Sequence, residues 1–450
     1  MASQTVSTPA PTAGTTSVDR RPSGGTLILA AAVPLVFLHA RYQPTLSIGL
    51  RSTSIDVTLA DAAIASAVVA AAVRLAREGP GSLRASAWPL AAAGTFLAII
   101  VLQSFAPIAR GDDYALAAHL VSAAKFGWYA LLAPATIVLV ASRRDGVLLL
   151  RALVAWSLVA SSWGALQFAG LVSEFEGKRP GQREPSFLGI HDFAALSGAA
   201  LAVGLVGLTL RRAPLGGPWS AAALAGGSLG LVLSGAMSGV IGLWLAGAAI
   251  LAVSLRGRSL RLRDAAAVAG VVLAVTAGTA AMRATALERF AEFIGLRDRA
   301  AQSTAVQSYA HRTLLGYIGV RIFLDHPIVG VGWQASSDDF AYTPYLSSAH
   351  RRFPDVPAEA FPSPEHRWGV QNAYLQTLAD LGLVGFAALA AAFATALVKG
   401  LRRSRATPLA LVGVAWLLVA AGVWGGLGLV PGIPLAALTW MAFGLACVLE

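Results

Sequence analysis

A chain of 450 residues that is 56% hydrophobic and only 13% charged, with a mean hydropathy of +0.66, exceeds the apolar share of a soluble domain. It also repeats runs long enough to cross a bilayer, which excludes an ordinary water-soluble globule and points to an all-α polytopic membrane bundle. The net charge of +11 and a pI near 10.5 invite a nucleic-acid reading, which the placement of the charges removes below.

Residues 1–25 open on small polar side chains with too little apolar content to bury, and read as a disordered cytoplasmic tail. Arg20 and Arg21 precede the first apolar run and no small-x-small cleavage site follows it, so a cleavable signal peptide is not expected. About twelve spans follow, near 26–40, 57–73, 88–106, 117–141, 147–169, 191–210, 218–235, 238–255, 265–282, 380–398, 407–425 and 431–449. The pair from 218 to 255 can only be two helices joined by a tight turn around Ser234 to Gly239. The expected division is membrane helices 1–9 over 26–282, one large extracytoplasmic loop over 283–368, and helices 10–12 over 369–450. Cys447 lies in the last run and has no partner for an intramolecular disulfide.

Lysine and arginine in short connections are retained on the cytoplasmic side. The connections that carry Arg20, Arg21, Arg74, Arg77, Arg84, Arg143, Arg144, Arg151, Arg211, Arg212, Arg256, Arg258, Arg261, Arg263, Lys399, Arg402, Arg403 and Arg405 are therefore inside. The opposite set holds only Arg41, Arg51, Arg110, Lys178, Arg179 and Arg183. Both termini are then expected to be cytoplasmic. The excess positive charge is a topology signal, helped by anionic lipid. In the 283–368 loop nine arginines face nine carboxylates, so no nucleic-acid partner is expected. All seven histidines, His39, His119, His191, His311, His326, His350 and His366, fall at outer span ends or in outer loops. Walker, dinucleotide and zinc spacings are absent, so neither a cofactor nor a metal is expected.

Two charges sit inside apolar runs. Lys125 in the fourth span is costly in hydrocarbon and is a functional candidate by default, with Asp61 of the second span a possible partner. In the large loop, Tyr309 to Leu324 places Leu314, Leu315, Ile318, Ile322 and Phe323 on a helical stripe, with Arg312 and Arg321 nearer the other side. His326-Pro327 stops that helix, and Gly330 and Gly332 allow the backbone to approach a ligand or a helix closely. A proline-rich polar insert runs from Thr343 to Pro364. A helix from near Val370 then carries Gln371, Asn372, Tyr374, Gln376 and Asp380 into the membrane surface.

Arg312 with its amphipathic helix, then DHPIVGVGW, then QNAYLQTLADLGLVG leading into a span, resembles the O-antigen ligase and O-antigen polymerase family of bacterial envelope enzymes. Their pattern is an arginine, then HPxxGxG, then HNxYLxxxxELGxxG. The resemblance is concentrated over 305–390 and extends more weakly over 179–245, where RPGQREPSFLGIHDFAALSG is similar to the family's arginine-containing segment before a span. It implies about twelve spans with the large loop between the ninth and tenth. It also implies transfer of a glycan from a polyprenyl diphosphate to a hydroxyl of a glycan, glycolipid or other acceptor outside the cytoplasmic membrane.

Two departures from the pattern matter: Gln371 stands where the family has the histidine credited with activating the acceptor, and Met237 stands near a family arginine. The chemistry needs cations for the departing diphosphate, a task that suits Arg312, Arg321, Arg183 and Arg179. It also needs a base, for which His366, His191 and Asp380 are the replacements. Gln371, Asn372 and Tyr374 are placed to bind sugar hydroxyls or to cap the helix. The competing class is a transporter or a non-catalytic glycolipid-binding protein, in which Lys125 and Asp61 would line a pathway.

Overall fold

The computed structural model describes residues 22–50, 53–173, 175–176, 179–210, 213–257, 261–293, 308–404 and 406–448. Of the expected tail over 1–25, residues 1–21, and with them Arg20 and Arg21, lie outside the described residues, as do Arg51, Lys178, Arg211, Arg212, Arg258 and Arg405, while Gly24 and Gly25 already belong to the first helix, Gly24–Val36.

Each of the predicted apolar runs contains a helix. Among the described residues eight helices are long and apolar enough to cross a membrane: Leu59–Glu78, Ala87–Arg110, Leu116–Leu139, Arg143–Phe168, Ile190–Thr209, Met237–Arg256, Leu262–Met282 and Ala373–Arg403. The protein is thus a multi-pass membrane protein. Gly24–Val36, Pro408–Trp424 and Pro434–Ala446 are apolar but shorter, because Gly and Pro trim their ends: Gly425 closes one, and Pro431, Gly432 and Pro434 precede the next. Gly217–Ser234 and Met237–Arg256 form the expected helix pair, turning through Gly235 at φ 58°.

Two of these short helices sit in the middle of the bundle. Nearly every residue of Pro408–Trp424 and Pro434–Ala446 is buried, as is 89% of the apolar window of Ile190–Thr209, against 22% for Leu262–Met282 at the periphery. Such burial is possible because small residues let backbones touch. A Cβ on Gly422 would lie 2.3 Å from Gly242 Cα, the close crossing that drives helix association in lipid.

The all-α expectation misses one element. The connection after the first helix forms an antiparallel hairpin, Thr45–Leu50 with Thr53–Thr58, in which Leu46 pairs with Val57 and Ile48 with Ile55. Apolar and polar residues alternate along both strands, the period of a half-exposed strand.

The large loop builds a small core of its own. Leu314, Ile318 and Ile322 of helix Ser308–Asp325 pack with Tyr342, Tyr345 and Ala349. The last three lie on a helix, Asp339–Arg352, that runs through the first half of the predicted polar insert in spite of Pro344. The HPIVGVGW segment then locks onto the helix Ala373–Arg403, whose backbone breaks at Gly382 (φ 61°, ψ −163°). At the break, Leu383 N–H donates to Pro327 O (2.8 Å) and Val384 N–H to Ile328 O (3.1 Å). In return Val331 N–H donates to Ala379 O (3.0 Å) and Gly332 N–H to Asp380 O (2.8 Å). The groups a helix break would orphan in an apolar surround are thereby satisfied. Only glycine fits at the contact: a Cβ on Gly330 would lie 2.3 Å from Asp380 C, and one on Gly382 2.3 Å from Ile328 O. Of the two partners expected for the loop glycines, the structure supplies a helix.

Candidate functional site

The locked loop holds helix Ser308–Asp325 against the start of Ala373–Arg403, and this brings Arg312 to Gln371. Arg312 Nε donates to Gln371 Oε1 at 3.0 Å and Nη2 lies 3.1 Å from His191 Nε2. A guanidinium only donates, so His191 Nε2 accepts with its lone pair, and the proton of the neutral ring belongs on Nδ1, which is buried without a partner. His191 is the second residue of helix Ile190–Thr209. The N-terminal turn of that helix, whose amides have no intrahelical acceptor, faces the same space.

Two more arginines close on this point. Arg183 lies in the connection between helices Arg143–Phe168 and Ile190–Thr209, and Gly235 sits between it and Arg283: a Cβ there would be 3.0 Å from Arg183 Cβ and 3.5 Å from Arg283 Cδ. Arg283 is 7% exposed, its Nε has no partner, and its guanidinium lies 4.9 Å from the Tyr309 ring centroid. Burial, together with Arg283 and Arg312, pushes Arg183 down to about 10. Burial lowers Arg312 too, with Tyr309 opposing and Arg283 adding to the shift. Among the described residues none of these three arginines forms an ion pair with a carboxylate. Buried and half-buried like charges without ion-pair partners are held against their own repulsion, which makes the cluster a candidate anion site.

Two of the three arginines, Arg183 and Arg312, border a cavity of about 310 Å³. Arg183, Arg312, His191, His39, Glu176 and Asp192 give it a polar side, and Leu427, Val430 and Ile433 an apolar one. Four stretches far apart in sequence contribute, and contacts tie the surrounding elements together. His39 N–H donates to Phe187 O (3.1 Å), Asp192 Oδ1 accepts from Leu435 N–H (2.7 Å), and Asn372 Nδ2 donates to Gly425 O (3.0 Å). Among the described residues no group of three His, Cys, Asp or Glu side chains could hold a metal ion.

Of the residues singled out in the sequence, Arg312, Arg183, His191 and Gln371 come together here. The others do not line the cavity. Arg321 is exposed on the far part of its helix, near the Tyr345–Asp325 hydrogen bond (2.7 Å). Arg179 is exposed in the connection that carries Arg183. His366 is exposed and stacks on Trp368 at 5.9 Å. Asn372 is the N-cap of its helix, accepting from Tyr374 N–H and Leu375 N–H, and Tyr374 OH donates to Ala421 O at 2.5 Å.

Asp380 is 1% exposed and accepts from Gln334 N–H (3.1 Å), Ser336 N–H (2.9 Å) and Gln376 Nε2 (3.0 Å), so its oxygens are spent on holding the loop. Lys125 Nζ lies 2.7 Å from Asp61 Oδ2 and donates to Asp56 O at 2.9 Å. The sequence reading passed over Arg283, Glu176 and Asp192. Arg283 stands at the first position after an apolar run, a helix-end signal that could have marked it.

The structure thus sets a cationic cavity against an apolar wall within a membrane bundle. Residues 221–390 match the family model described as O-antigen ligase, so this stretch of the chain is similar to that family. The matched stretch contains Arg283, Arg312 and Gln371 but not Arg183 or His191. No curated protein matches the chain.

Proposed function

We propose that the protein transfers a glycan from a polyprenyl diphosphate to an acceptor hydroxyl at the outer face of the bacterial cytoplasmic membrane. The observation that carries this reading is the convergence of Arg183, Arg283 and Arg312 without a carboxylate partner. A departing diphosphate gathers negative charge as the sugar–oxygen bond breaks, and preorganised guanidiniums stabilise that charge without rearranging. Each also offers a planar fork for two phosphate oxygens. The apolar side of the cavity, with Leu427, Val430 and Ile433, suits the first isoprene units of a carrier lipid.

In this reading Gln371 and His191 orient Arg312, one at each end of its fork. His191 has spent its lone pair on a permanent cation and does not serve as the base. Twelve crossings, with both termini cytoplasmic and the cavity outward, accompany the proposal. The basic ends carrying Arg74, Lys399 and Arg403 bond to Leu139 O, Ala85 O and Val448 O, away from the cavity, as retention of positive charge inside requires. A transporter would use interrupted helices to bind substrate at mid-membrane, whereas the break at Gly382 is filled by the protein's own backbone.

The test is reconstitution of the full chain in proteoliposomes with polyprenyl-diphosphate glycans extracted from cells that carry the gene. Wild type is expected to release polyprenyl diphosphate, and Arg312→Ala to release it about 100- to 1,000-fold more slowly. Equal release by the two would remove Arg312 from the mechanism, and no release by wild type would favour the binding or transport class.

A further inference from the structure

The vacancy left by the family histidine can be filled by taking stock of every proton acceptor in the cavity. The acceptor oxygen of Gln371 is taken by Arg312 Nε, and the lone pair of His191 by Arg312 Nη2. His39 Nδ1 accepts from Arg41 N–H at 3.1 Å, which leaves its Nε2 as a donor. Asp192 is 7% exposed and has Oδ1 committed to Leu435 N–H, which leaves its Oδ2, on the side of Gly189, as the rival acceptor. Glu176 is the exposed carboxylate of the two: it lines the cavity, and among the described residues neither of its oxygens has a hydrogen-bond or ion-pair partner.

Its placement is specific. Glu176 adopts φ 53°, a conformation costly for a side-chain-bearing residue, beside Phe175, which is 3% exposed and packs on His39 and Tyr42 at 5.0 and 5.2 Å. The carboxylate comes to rest against Gly189, where any Cβ would stand 3.0 Å from Glu176 Oε1. Gly189 directly precedes the helix that presents His191, so the carboxylate and the arginines face one another across the opening.

We propose that Glu176 is the general base of the transfer, a role that rests on the reaction proposed above. The acceptor oxygen forms a bond to the anomeric carbon while the bond from that carbon to the diphosphate oxygen breaks. The hydroxyl proton passes to the Glu176 carboxylate, and the diphosphate leaves with the bonding electron pair into the arginine cluster. A carboxylate is competent for this because the hydroxyl becomes acidic only as it attacks, as in inverting glycoside hydrolysis.

The proteoliposome assay tests it with Glu176→Gln, Glu176→Ala with and without added formate, and Asp192→Asn. Binding of polyprenyl diphosphate is measured separately on each. Expected is a fall in turnover of about 100-fold or more for Glu176→Gln, with diphosphate affinity unchanged or higher because a negative charge has left the cavity, and partial rescue of Glu176→Ala by formate. Turnover of Glu176→Gln equal to wild type, loss of diphosphate binding along with turnover, or collapse in Asp192→Asn alone would each overturn the assignment while leaving the transfer reaction standing. Absence of release by wild type would sink the transfer reaction itself, and the base with it.

Discussion

Two polar clusters in this apolar bundle use residues from the same motif and end in opposite states. Around Asp380 every acceptor is used: Gln334 N–H, Ser336 N–H and Gln376 Nε2 donate to the carboxylate, and Gln376 Oε1 in turn accepts from Leu429 N–H at 2.6 Å. Around Arg312 three guanidiniums crowd together without a counterion, and Arg283 Nε has no partner. A buried group with all its partners reports on the fold, and one without them reports on a ligand that is absent. The distinction is drawn by bonding, since Asp380 and Gln371 lie nine positions apart in one motif.

The comparison can be broken most sharply at Arg283. If the cluster awaits an anion, Arg283→Ala should weaken polyprenyl-diphosphate binding by roughly 10- to 100-fold, the worth of one charge-assisted hydrogen bond. It should also leave the melting temperature of the empty protein unchanged or raised, because a repulsive charge has gone. A drop in both would make Arg283 an ordinary structural arginine.

The lock should behave in the reverse manner. Gly382→Val puts a branched side chain at φ 61°, with its Cβ 2.3 Å from Ile328 O, and should destabilise by roughly 3 kcal/mol or more. Thermal unfolding in detergent reads this directly. Asp380→Asn is milder, because an amide can still accept from one or two of the three donors. A loss of about 1–3 kcal/mol in stability with unchanged diphosphate affinity is expected. Weakened affinity with unchanged stability would move Asp380 from the lock to the site.

Much of this was legible before the fold. The motif residues Arg312, Gly330 and Gly382 announce themselves, because glycine at fixed offsets and an arginine beside an apolar helical stripe each have few physical explanations. Lys125 implied its partner Asp61, since a cation in hydrocarbon requires one. Arg283 and Glu176 were not legible, because their meaning lies in a meeting of segments separated by about a hundred residues of apolar sequence with no register of its own. The hairpin was missed because Leu46, Ile48, Ile55 and Val57 alternate for only a few residues between two long apolar runs. The helix Asp339–Arg352 was hidden by Pro344, which argues for a turn locally but is overridden when Tyr342, Tyr345 and Ala349 find a core to join.

The smallest effect should come from Arg321, which shares a helix with Arg312. Nine positions on, two and a half helical turns later, it points away from Arg312 and ends exposed to solvent. Its charge is felt at Tyr345, where the hydroxyl is already committed to Asp325. Burial and that hydrogen bond push the tyrosine up to about 12, with Arg321 opposing only in part. An exposed arginine beside a satisfied pair contributes less than about 0.5 kcal/mol. Arg321→Ala should therefore match wild type in release of polyprenyl diphosphate and in melting temperature. Were its turnover to fall as far as that of Arg312→Ala, the anion would be bound along the whole helix, and a site confined to the Arg183, Arg283 and Arg312 cluster would be too small.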